Sequence, residues 1–135
     1  MQSNVTFLMF DGVAEAAMNL YVSLFEDSRV LDVTRYGPDA AGPEGTIEYA
    51  TFVLNGQEYI AIDKAMRHDY ILPTSVAVYV ACRSNEEIER LYAKLSDGGE
   101  VQMALGAYEF SDKFGWVSDR FGVSWQLSLE PAAAE

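Results

Sequence analysis

Hydrophobic and polar residues alternate along this chain with two different periods, and the periods follow the same order twice. In the first half, a short apolar run at 5–10 predicts a strand. Apolar residues at every third or fourth position across 13–25 then predict one face of a helix. The strand-like runs that follow are 30–36, 46–54 and 57–63. The first half is therefore predicted to have the order βαβββ.

The second half repeats this order. A β-branched and aromatic run at 75–82 predicts a strand, and a helix follows in which Ser84 and Glu87 form a capping box. The strands predicted after that helix are 100–105, 113–119 and 123–129. Residues 107–112 fit neither period.

Two sequence offsets relate the halves. One aligns the helices and places the strand that begins at Thr6 on the strand that begins at Val76, 70 residues later. The other, of 66 residues, places Ile60 on Gln126. The repeat predicts one α+β domain, built from module one at about 4–63, a connector at about 64–74 and module two at about 75–130.

Local signals predict where several elements begin and end. Asp11 is positioned to cap the first helix, because an aspartate oxygen accepts from free backbone N–H groups there. Asn55-Gly56 separates two strand-like runs and predicts a two-residue hairpin. Gly98-Gly99 predicts the end of the second helix.

Composition then restricts the function classes. The 135 residues include 9 Lys+Arg and 21 Asp+Glu, a net charge of −12, which argues against nucleic acid as a partner. Cys82 is the single cysteine and ends an apolar run, so a buried, inert thiol is expected. No leader pattern and no apolar run of ~18 residues occurs, so we expect a cytoplasmic protein with no membrane partner.

Three stretches carry a resemblance to a known family: FDGVAEAAMNLYVSLFEDSRV, LNGQEY and LSDGGEVQMAL…KFGWVSDRFGVSWQL. They resemble the vicinal oxygen chelate superfamily of glyoxalases, extradiol dioxygenases and bleomycin-resistance proteins. The PhnB-like branch, often called 3-demethylubiquinone-9 3-methyltransferase, is the closer match. The resemblance implies a glyoxalase-like α+β fold, with two βαβββ modules forming a cupped mixed sheet, helices outside, and a homodimer. The methyltransferase label is not taken as evidence of that activity, because the sequence has no G-x-G-x-x-G turn of the kind found in doubly wound cofactor-binding folds.

The same resemblance implies where a metal site would lie. Superfamily members that use a metal take ligands from the first and last strands of each module. The repeat places Thr6, Ile60, Val76 and Gln126 there. None supplies imidazole, carboxylate or thiolate, so we expect no metal and no other cofactor. The lone histidine, His68, is interpreted as a loop residue of the connector.

A pocket remains predicted without a metal. In the last strand, Ser124, Gln126 and Ser128 share one face, and the alternate residues should pack on a helix. Trp116 and Phe52 are candidate walls, although both also fit an ordinary core. The candidate ligand-binding residues are therefore Thr6, Phe52, Ile60, Val76, Trp116, Ser124, Gln126 and Ser128.

Three functions follow from these observations. The leading hypothesis is a metal-free protein that binds a small organic molecule. The first alternative is a lyase or isomerase of the glyoxalase or epimerase type that uses Gln126 and a carboxylate from elsewhere. The second is sequestration of a cationic antibiotic, which the net charge of −12 would assist.

Overall fold

The computed structural model describes residues 5–63 and 76–130. The chain divides into two compact units, Met1–Asp69 and Tyr70–Glu135. The predicted connector and His68 lie outside the described residues, and the predicted cup stays a prediction. No helix in the described part of the chain is long and apolar enough to cross a membrane.

Both modules have the predicted order βαβββ. The elements of the first are β1 Thr6–Phe10, α1 Ala14–Leu24, β2 Arg29–Arg35, β3 Ile47–Leu54 and β4 Gln57–Asp63. Those of the second are β5 Val78–Cys82, α2 Asn85–Ser96, β6 Glu100–Tyr108, β7 Ser111–Ser118 and β8 Ser124–Leu129. The stretch 107–112, which the sequence left unassigned, forms the end of β6, a turn and the start of β7.

Each module folds into a mixed four-stranded sheet with one helix. The strand orders are β1-β4-β3-β2 and β5-β8-β7-β6. The first and last strands of each module pair in parallel, whereas the other neighbours are antiparallel. The Asn55-Gly56 hairpin is confirmed, because these residues have φ values of 52° and 78°, as a two-residue turn with two positive φ angles requires.

The core of the first module lies between α1 and its sheet. Tyr21 of α1 and Phe52 of β3 are fully buried, and their ring centroids are 6.5 Å apart. Phe52 also stacks on Tyr59 of β4 at 5.3 Å. These contacts bury the apolar stripe of the helix, as its periodicity predicts.

The two helices begin in different ways. The Ser84 half of the capping box predicted for α2 is confirmed, because Ser84 Oγ accepts from the Glu87 backbone N–H at 3.1 Å. The Glu87 carboxylate accepts instead from the backbone N–H of Arg83, one residue before the N-cap. The prediction that Asp11 caps α1 is wrong, because Val13 occupies the N-cap position and makes no side-chain cap. The free backbone N–H of Ala14 instead donates to Asp63 Oδ1 at the end of β4, at 3.0 Å.

The strand pairing corrects the alignment of the first strands of the modules. Thr6 lies beside Tyr59, and Phe7 lies beside Ile60. In the second module, Tyr79 lies beside Gln126. Phe7 and Tyr79 are therefore equivalent, so the offset of the first strands is 72 residues and not 70. The predicted match of Thr6 with Val76 is wrong.

Candidate functional site

The candidate site lies on the sheet of the second module, on the face that points away from α2. A side chain at Gly115 would meet Tyr92 of α2 at 2.9 Å, so this position of β7 faces the helix. Leu127 pairs with Gly115 and is fully buried on the same side. Because neighbouring residues of a strand point to opposite faces, Trp116 and Gln126 point the other way. We call this second side the open face.

One row of four side chains crosses the open face. Gln126 of β8 lies between Tyr79 of β5 and Trp116 of β7, and Met103 of β6 follows Trp116. Residues that pair across strands have neighbouring side chains on one face. We call these four residues the Gln126 row. It places a primary amide between two aromatic rings.

Hydrogen bonds fix both rings of the row by their polar ends. The Trp116 indole N–H donates to Ser124 Oγ at 2.7 Å. The Tyr79 hydroxyl donates to the carboxylate of Glu130, and this bond raises the pKa of the tyrosine above its usual range. The polar atoms of both side chains are thus already engaged. What the rings offer a ligand is their apolar surface.

Gln126 differs from its polar neighbours on β8. Ser124 and Ser128 are 4% and 3% exposed, and each bonds a side chain of its own module. Gln126 is partly exposed, and its amide makes no hydrogen bond to another of the described residues. A partly exposed amide avoids the desolvation penalty of a fully buried one. It is therefore able to exchange water for a ligand.

None of the other four candidate residues stands in the Gln126 row. Phe52 stacks within the helix-facing core of the first module, which is the ordinary alternative for an aromatic on a strand. Thr6 of β1 pairs with Tyr59 of β4, whose ring faces α1, so the Thr6 side chain is also on the helix-facing side of the sheet. Val76 precedes β5 and is 70% exposed. Ile60 lies half-buried beside Phe7, on the face of the first sheet opposite α1.

The corrected register also changes which residues the resemblance assigns to metal-ligand positions. These positions hold Phe7, Ile60, Tyr79 and Gln126. Two apolar side chains, a phenol and a neutral amide do not form a set of transition-metal ligands. Within 5–63 and 76–130, no three His, Cys, Asp or Glu side chains lie close enough together to hold a metal ion. The residues therefore do not fit the metal of the superfamily.

Two acidic or nucleophilic side chains that could otherwise serve chemistry have structural surroundings. Both oxygens of Asp63 accept backbone N–H groups, from Ala14 at 3.0 Å and from Ile47 at 2.9 Å. Cys82 is fully buried, and burial raises the pKa of its thiol to about 12. A thiol in this state is a poor nucleophile at neutral pH.

A surface groove adjoins the end of β8 in the same module. Its volume is about 400 Å³, and residues of the β6–β7 turn and the end of β8 line it. Glu109, Asp112 and Glu130 place carboxylates there, and the Phe110 ring is 66% exposed. Sequence reasoning missed this groove because it left 107–112 unassigned. It missed Tyr79 because the pairing register of β5 has no local sequence signal.

The family described as 3-demethylubiquinone-9 3-methyltransferase matches residues 2–128. The chain belongs to this family. The predicted resemblance to the PhnB-like family is thereby confirmed, as is the glyoxalase-like α+β fold.

Solved structures agree with this assignment. The PhnB-like chain is 47% identical to a PhnB protein from Bacillus cereus, with a TM-score of 0.93 over 96% of this chain and 100% of that one. A protein from Pseudomonas aeruginosa is 28% identical, with a TM-score of 0.82 over 97% and 99% of the two chains. A glyoxylase/bleomycin resistance protein/dioxygenase domain from Frankia, 12% identical over 96% and 97% of the chains, shares the fold with a TM-score of 0.65. The search of curated proteins gives no match.

Proposed function

We propose that this PhnB-like protein binds a small organic molecule on the open face of its second module, without a metal ion. The observation that carries the proposal is the Gln126 row. A partly exposed amide lies between two aromatic side chains whose own polar atoms are already bonded. Apolar walls with a few placed polar groups are typical of small-molecule sites.

The side chains of the row suit binding better than catalysis. An amide such as that of Gln126 neither gives nor takes a proton readily near neutral pH, whereas a lyase or isomerase needs a general base. The carboxylate of Glu130, which contacts the row, accepts the hydrogen bond of Tyr79. The proposal therefore assigns no catalytic residue.

The family name does not alter this proposal. Methyltransferases that use S-adenosylmethionine usually bind it on a doubly wound parallel sheet. Each sheet described in this chain is a mixed four-stranded sheet with a single helix. The proposal includes the expected cytoplasmic location and homodimer, with a small organic molecule as the partner.

Native mass spectrometry of the protein purified from its own host tests the proposal, together with measurement of its metal content. We expect an organic molecule to be retained by the wild-type protein and lost from the variant Gln126→Leu, with no stoichiometric metal in either. Gln57→Leu is the matched control, because Gln57 is an exposed strand glutamine of the first module. A tightly bound stoichiometric metal, or retention of the molecule by Gln126→Leu, would overturn the proposal.

A further inference from the structure

The Gln126 row also restricts the chemical class of the ligand, and this inference rests on the proposed function. A primary amide presents an N–H donor and a C=O acceptor side by side. The row holds no other free hydrogen-bond donor, since the Trp116 N–H and the Tyr79 O–H donate to Ser124 and Glu130. The polar part of a ligand bound here must therefore match an amide.

The spacing of the row restricts the apolar part. Neighbouring strands lie about 4.8 Å apart, so Tyr79 and Trp116 stand on strands about 10 Å apart with Gln126 between them. The backbones of Tyr79 and Trp116 are each about 5 Å from that of Gln126, so a flat ring placed above Gln126 lies between the two aromatic side chains. Aromatic rings attract one another at roughly 4.5–7 Å between their centroids, a separation that side chains on neighbouring strands can reach.

We infer that the ligand is a flat ring system with a lactam or imide edge, that is, a ring N–H next to a ring C=O. The Gln126 carbonyl accepts from the ring N–H, and its NH₂ group donates to the ring C=O. Tyr79 and Trp116 contact the two faces of the ring. A neutral edge also suits a protein whose net charge of −12 disfavours anions.

Three ring compounds of similar size test this inference: 2-quinolone carries the lactam edge, quinoline carries only an acceptor, and naphthalene carries neither. Binding to the purified protein is measured by calorimetry. Because two hydrogen bonds distinguish 2-quinolone from naphthalene, we expect it to bind roughly tenfold more tightly or better. Equal affinities of 2-quinolone and naphthalene would overturn the inference.

Two variants locate the preference at Gln126. Gln126→Leu removes both hydrogen bonds, so 2-quinolone should lose its advantage over naphthalene. Gln126→Glu replaces the donor by an acceptor, so it should bind 2-quinolone more weakly and protonated 2-aminoquinoline, which offers two donors, more tightly. Gln57→Leu should behave as the wild type, and melting temperatures check that each variant is folded. A 2-quinolone preference that survives in both Gln126 variants contradicts the inference.

The measurements distinguish a wrong ligand class from a wrong proposed function. If a host-derived molecule is retained through Gln126 but 2-quinolone binds no better than naphthalene, the lactam edge is wrong and the proposed function stands. If no molecule is retained and none of the ring compounds binds, both are wrong.

Discussion

The Asp63 side chain forms hydrogen bonds with the beginnings of two different elements of the first module. It is 2% exposed, and its two oxygens accept the backbone N–H groups that begin α1 and β3, at Ala14 and Ile47. The Tyr36 hydroxyl donates to its backbone carbonyl at 3.1 Å. One residue at the end of β4 thus fixes the start of a helix and the start of a neighbouring strand. The carboxylate takes the place of a local helix cap.

The variant Asp63→Asn tests this role. Asparagine keeps one acceptor oxygen but turns an NH₂ group towards the other backbone N–H, which is then left without a partner. We expect the free energy of unfolding to fall by about 2 kcal/mol, measured by urea denaturation. Asp39→Asn, in an exposed turn, is the control and should change it little. Equal effects of the two substitutions would contradict the proposed role of Asp63.

Cys82 provides a second prediction at this scale. Burial in the folded protein raises the pKa of its thiol to about 12, from an ordinary value of 9.0. The folded state therefore holds the proton over a pH range in which the unfolded state has lost it. The contribution of Cys82 to stability is fully present below pH 9 and declines as the pH rises towards 12.

The rate at which a thiol reagent modifies Cys82 reports whether the thiol is buried and protonated in the folded protein. At pH 8, we expect Ellman's reagent to modify the native protein at least about a hundredfold more slowly than the protein unfolded in guanidinium, because the thiol is buried as well as protonated. A native rate within a few fold of the unfolded rate would contradict the burial of Cys82.

Among the elements, α2 has the helix start that is encoded most locally. Ser84 Oγ accepts from the Glu87 N–H, and the Glu87 carboxylate accepts from the backbone N–H of Arg83 at 2.8 Å. The variant Ser84→Ala removes the first of these bonds. We expect it to lower the free energy of unfolding by about 1 kcal/mol in urea denaturation.

Ser96→Ala is the matched control for this prediction, because Ser96 lies in the last turn of the same helix. Alanine has the higher helix propensity, so this control should be neutral or slightly stabilising. If both substitutions destabilise the protein equally, the cap is not the cause.

The elements also show which parts of the fold the sequence could reveal. The Asn55-Gly56 hairpin and the α2 cap depend on residues that are close in sequence, and both predictions were confirmed. The cap of α1 comes from Asp63, 49 residues after Ala14, so no local pattern could identify it. Contacts between distant segments account for most of what was missed.

The pairing register of β5 in the candidate site was also not predictable from local sequence. The run SVAVYVAC is apolar at nearly every position, so a shift of two residues leaves its pattern nearly unchanged. The sequence therefore placed Gln126 but not Tyr79 beside it. Gln126 was found because the β8 sequence alternates clearly between polar and apolar residues.

For the whole molecule, the repeat of βαβββ modules separates the residues that hold the fold together from those of the candidate site. Each module buries its own helix against its own sheet, so the core residues are separate from those of the open face. Phe7 and Tyr79 stand at equivalent positions of the two first strands, where the superfamily resemblance places metal ligands. Exchanging such ligands for aromatic side chains leaves the helix-facing cores unaltered.

We have proposed that the open face of the second module binds an organic molecule without a metal. The most direct test is a ¹⁵N NMR titration of the metal-stripped protein, using the organic fraction released when host-purified protein is denatured. The indole N–H of Trp116 reports on the open face. That of Trp125, which is buried and bonded to Asp119 at 2.9 Å, is the internal control.

We predict that the Trp116 indole resonance and the backbone resonances of Tyr79 and Gln126 shift as the fraction is added, while the Trp125 indole resonance stays in place. The absence of any shift until a divalent metal is supplied would contradict the account. A response that leaves Trp116 unchanged would contradict it equally.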